Sequence, residues 1–90
     1  MQKTIITVVG KDAIGIIAKV STFLSDHHVN ILDISQTIVG GFFNMMMIVD
    51  TQASDLTQAE LSAGLDAVGV EAGVTIHAQH EEIFNMMHRI

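Results

Sequence analysis

Residues 30–50 read NILDISQTIVGGFFNMMMIVD, and this stretch decides the fold. From Asn30 to Val39, Leu32, Ile34 and Ile38 alternate with Asp33, Ser35 and Thr37. That is the period-two pattern of a strand with one face on a core. Gly40-Gly41 then supplies the two residues tolerant of positive φ that a two-residue hairpin turn demands. Phe42 to Asp50 continues as a further strand, so the two strands pair antiparallel. This strand is apolar on both sides: Phe43, Met45, Met47 and Val49 share one face, while Phe42, Met46 and Ile48 share the other. A sheet covered by helices on one side should be polar on its other side. The surplus predicts that a second copy of the chain covers the outer face or the sheet edge, unless the C-terminal segment does so within one subunit.

Reading outward toward the N-terminus, Lys3 to Val9 (KTIITVV) is rich in β-branched residues and predicts a buried first strand ended by Gly10. Residues 10–15 form a polar, glycine-bounded loop, with Asp12 expected to cap the following helix. That helix is expected to bury Ile14, Ile17, Ser21 and Leu24, with Ile16, Val20 and Phe23 widening the stripe. It should stop near His27-His28, because imidazoles suit the negative end of a helix. On the C-terminal side, Thr57-Gln58-Ala59-Glu60 is a capping box flanked by Leu56 and Leu61 as a hydrophobic staple. The helix it opens carries Leu61, Leu65, Val68 and Ala72 at helical spacing, with Gly64, Gly69 and Gly73 expected to weaken or end it. Val74 to His80 alternates again as a fourth strand. In the tail over 81–90, Ile83, Phe84 and Met87 fall on one side, which predicts a turn or two of helix packed on the body.

The order is therefore βαββαβ. Right-handed crossovers put both helices on one face of a four-stranded antiparallel sheet, an α+β, ferredoxin-like sandwich with a short C-terminal helical tail. Ninety residues make one domain, its core over about 3–80.

The charge balance excludes several functions. Against ten acids stand only Lys3, Lys11, Lys19 and Arg89, a net charge of −6. Four scattered cations make no stripe to displace counterions from nucleic acid, and they do not hold an anionic membrane. The chain has no cysteine, hence no disulfide frame, thiol nucleophile or thiolate metal site. Its longest apolar run, Met45 to Val49, is too short to span a bilayer. With no targeting pattern at the start, the expectation is a cytoplasmic protein. Ser21, Ser25 and Ser35 lie in no nucleophile motif, so no enzyme activity and no cofactor are expected. His77 and Gln79 share a strand face with Glu81 beyond them, His80 lies opposite, and His27 and His28 are adjacent. A metal-dependent enzyme built on these histidines is the remote alternative. Met45, Met46 and Met47 alternate faces and read as packing.

Val8-Val9-Gly10-Lys11-Asp12-Ala13-Ile14-Gly15-Ile16, followed by Asn30-Ile31 and Asp33-Ile34-Ser35-Gln36, resembles the ACT domain. It is most similar to small stand-alone bacterial ACT proteins of the glycine-cleavage-system transcriptional repressor group. The resemblance runs over nearly the whole chain. It implies a regulatory module that binds an amino acid or related metabolite, dimerises side by side or through the sheet, and passes its state to a partner enzyme or regulator. The ligand would lie between subunits, against Gly10, Lys11, Asp12, Ala13, Ile14, Gly15 and Ile16 of one and Asn30, Ile31 and Leu32 of the other. The chemistry is compatible with this. A helix start offers free amides to a carboxylate, Asp12 suits an ammonium, Gly15 permits close approach, and Asn30 both donates and accepts. Each also has a plainer role: Asp12 as a cap, Gly15 in helix–sheet packing, Asn30 in a turn. The competing function is a ligand-free interaction module that docks onto an enzyme or regulator.

Overall fold

A computed structural model describes residues 2–11 and 15–80. Six elements follow in order: β1 (Lys3–Gly10), α1 (Ile16–Asp26), β2 (Asn30–Val39), β3 (Phe42–Asp50), α2 (Gln58–Ala72) and β4 (Thr75–His80). The tail over 81–90, including Ile83, Phe84 and Met87, lies outside the described residues, as do Asp12, Ala13 and Ile14.

The sheet order is β2-β3-β1-β4, and every neighbouring pair is antiparallel. This is the expected ferredoxin-like arrangement. Val39 pairs with Phe42 across the two-residue turn, and Gly40 and Gly41 take φ of 59° and 83°. Two successive positive φ values match the right-handed twist of the flanking strands.

The register settles which side chains share a face. Phe43, Met45, Met47 and Val49 of β3 are all buried, beside Ile6 and Val8 of β1 and Ile76 of β4. They close on Ile16, Val20 and Leu24 of α1 and on Leu61 and Leu65 of α2. Each such side chain contributes about 1.5–3 kcal/mol by leaving water. Thr4 is the one buried polar residue among those described, and its hydroxyl donates to Gln58 Oε1 at 3.4 Å.

Three local expectations change. The N-cap position of α1 is taken by Gly15, in the left-handed region at φ 76°, while Asp12, expected there, lies outside the described residues. The turn at Gly15 also fixes the helix phase. Ile16, Val20 and Leu24 therefore form its buried line, while Ile17 is 37% exposed and Ser21 only half-buried. In β2, Leu32 sits in a bulge between Ile31 and Asp33, so Ile31, not Leu32, packs against the core. Finally, Gly64 does not interrupt α2 but lets it approach α1. A Cβ there would lie 2.3 Å from Phe23 Cζ. The capping box of α2 is present as expected.

Candidate functional site

Gly10 closes β1 opposite Phe43, at the hairpin end of the sheet. Lys11 follows, its ammonium 5.8 Å from the centroid of the Phe42 ring. That is within the range of a cation–π contact and ties the loop to the hairpin. At the far side of the loop, Gly15 is exposed, and among the described residues nothing lies within 4 Å of where its Cβ would be. Its conformation, not tight packing, is what calls for glycine. The carbonyl of Gly15 accepts from Lys19 N–H at 3.0 Å, so the helix is formed right up to this open turn. Ile16 is 1% exposed. Its side chain belongs to the core, and only its backbone can meet a ligand. Asp12, Ala13 and Ile14 lie outside the described residues.

Asn30, Ile31 and Leu32 are at the other end of the sheet. Asn30 pairs with Asp50, and Asp50 with Lys3, seven residues from Gly10 along β1. At about 3.4 Å per residue the two halves of the expected site are about 24 Å apart in one chain. One protomer does not bring them together. Asn30 and Ile31 instead share a shallow hollow with Ser21, Ser25, His28 and Val29. Sequence reasoning missed the first three of these. The sequence signal is the four-residue spacing of Ser21 and Ser25 on one flank of α1 just before His28, obscured because helical spacing also places Ser21 in the apolar stripe.

The hollow is held in shape by the turn from α1 into β2. His28 has φ 60°, and Val29 N–H donates to the Leu24 carbonyl at 2.9 Å. His27 Nδ1 lies 3.0 Å from Asp55 Oδ1, Asp55 N–H donates back to the His27 carbonyl at 3.4 Å, and the Phe23 and His27 rings are 4.9 Å apart. The turn is thereby tied to the loop that precedes α2.

β2 is an edge strand, and beyond Ile31 every residue of it is exposed. Ile34 and Ile38, 41% and 76% exposed, lie on its helix side. A second apolar strip runs over the outer face through Val9, Val39, Phe42 and Met46. No group of three or more potential metal ligands occurs among the described residues. None of the described helices is long and apolar enough to cross a membrane.

Residues 2–79 match the ACT domain family. The chain belongs to that family. A UPF0237 protein of Bifidobacterium longum is 57% identical over 90 residues, covering all of both chains. An ACT domain protein from Streptococcus pneumoniae superposes with a TM-score of 0.79 at 42% identity, over 92% of this chain and 93% of that one. A glycine cleavage system transcriptional repressor superposes at 0.73 with 21% identity, over 88% of this chain and 45% of its own. At that identity the likeness is one of fold, and the kinship expected from 8–16 and 30–36 is with the ACT family.

Proposed function

We propose that this ACT domain is a regulatory module of the cytoplasm, not an enzyme, which binds a small amino acid or related metabolite between two copies and signals to a partner protein. The observation that carries the reading is the start of α1. Its N-cap is Gly15, which has no side chain of its own to accept from the first-turn amides, and no described atom lies within 4 Å of where a Cβ on Gly15 would be. First-turn amides and the positive end of the helix dipole suit a ligand carboxylate.

The sheet register supports the second half of the site coming from another chain. Two β2 edges paired antiparallel about a twofold axis would set each Asn30 against the hairpin end of the other β2. That is the end where Gly10, Lys11 and Gly15 lie. The same contact would cover Ile34 and Ile38 and remove an open sheet edge.

The test is a thermal-shift panel of amino acids with light scattering on the same sample. A ligand that prefers the folded pair raises Tm by mass action, and Gly15→Ala, which crowds the open turn, abolishes the shift. A protein that stays monomeric at micromolar concentration contradicts the shared site. A dimer that responds to no amino acid, before or after substitution, supports the ligand-free interaction module instead.

A further inference from the structure

The helix layer carries a charge that the sheet does not. Among the described residues, α1, α2 and the loop before α2 hold Asp26, Asp55, Glu60, Asp66 and Glu71 against Lys19 alone. The four strands and Lys11 hold two lysines, Lys3 and Lys11, against Asp33 and Asp50. The negative charge of the described residues is therefore concentrated in the helix layer. There α1 and α2 approach closely where Phe23 crosses Gly64, and a groove opens between them. Its floor is apolar, made by Phe23, Val68 and Ala18, and its rim carries Lys19, Asp26 and Glu71. Lys19 Nζ reaches Glu71 Oε1 at 3.8 Å, with both side chains largely in water. Such a pair holds little energy and yields easily to a better-placed cation. On the flank of α2 away from the groove, Val70 is 84% exposed, and Ala59, Ala63 and Ala67 are exposed with it among the acids Glu60 and Asp66.

We infer that the α1–α2 groove is a docking surface for a cationic amphipathic segment of a partner protein. An apolar side chain of that segment fills the hollow over Phe23 and Val68. Its lysines or arginines take Asp26 and Glu71, displacing Lys19 from the latter. The sign of the charge selects this occupant. A second copy of the chain would set Asp26 and Glu71 against the same two carboxylates within a helix layer of like net charge, and an anionic lipid surface or nucleic acid would be repelled. The groove lies on the opposite side of the molecule from the outer sheet face and does not use the β2 edge. Docking therefore does not depend on a metabolite binding at Gly15, and its failure would leave the thermal-shift response unaffected.

The probe is a synthetic helical peptide of about 18 leucines and lysines, titrated into isotopically labelled full-length protein and followed by amide chemical shifts. A leucine–glutamate counterpart serves as the control. Saturable shifts clustered on Ala18, Phe23, Val68 and Glu71 are expected with the lysine peptide alone. Affinity should fall about tenfold between roughly 50 mM and 500 mM salt, since exposed charges are screened at the higher strength. Val68→Gln should weaken binding by blocking the hollow. Glu71→Lys, at a solvated position that cannot disturb folding, should weaken it at least tenfold. Shifts centred on Phe42 and Met46, equal binding of the glutamate peptide, or unchanged affinity in Glu71→Lys would each overturn the assignment.

Discussion

The two helices begin in opposite ways. At α2, Thr57 Oγ1 accepts from Glu60 N–H at 3.1 Å, and Glu60 Oε1 accepts from Thr57 N–H at 2.9 Å. Leu56 packs on the core beside the start and Leu61 is buried within it. At α1 the N-cap is a glycine at φ 76°, with no described atom within 4 Å of where its Cβ would be. One helix start satisfies amides with its own side chains; the other has an N-cap that supplies none. The first arrangement serves stability, and the second is the one the proposed ligand would use, because an amide already bonded to a carboxylate or hydroxyl has nothing to offer a ligand.

Substitutions at the two starts should separate these roles. The largest effect is expected from Leu61→Ala, which empties a fully buried site and should cost about 2–5 kcal/mol in chemical denaturation. A loss below about 1 kcal/mol would mean that the start of α2 is not anchored in the core as described. Gly15→Ala comes next, at about 1–2 kcal/mol for forcing alanine into the left-handed region. It should also remove the amino-acid response, and a retained response would break the contrast between the helices. Thr57→Ala should lose about 1 kcal/mol of stability while keeping the full ligand-induced rise in Tm. The smallest change belongs to Glu60→Gln. Glutamine can also reach back to the Thr57 amide in a capping box, so the loss should stay within about 0.5 kcal/mol. A loss as large as that of Thr57→Ala would show that the carboxylate acts through its charge on the helix dipole more than through the hydrogen bond.

Much of the fold was legible because its cues are local. The Gly40-Gly41 turn, the alternation of Phe43, Met45, Met47 and Val49, and the Thr57–Glu60 box each depend on residues within a few positions of one another. The phase of α1 was not legible. It depends on where the chain turns at Gly15, and the apolar residues at 14, 16, 17, 20, 23 and 24 allow two neighbouring choices of buried face. The bulge at Leu32 was hidden for a similar reason. Ile31 and Leu32 are equally apolar, and only pairing with Ile48 and Val49 decides which of them turns inward. For the candidate site, both the residue set and its division between two subunits are expectations carried by the resemblance. Asn30 and Gly10 lie 20 positions apart in sequence, and nothing local says that β1 and β2 carry them to opposite ends of the sheet.

The sequence by itself determined the element order, the hairpin, the cap of α2 and the lack of a basic stripe, since each follows from side-chain chemistry acting over short separations. Only the tertiary structure decided that Ile16 belongs to the core, that Gly64 is the seat of Phe23, and that Asp26 and Glu71, from different helices, line one groove. It also decided that the two halves of the site cannot meet within one chain. Those facts come from packing and register, which join residues far apart in sequence and which no short window of it contains.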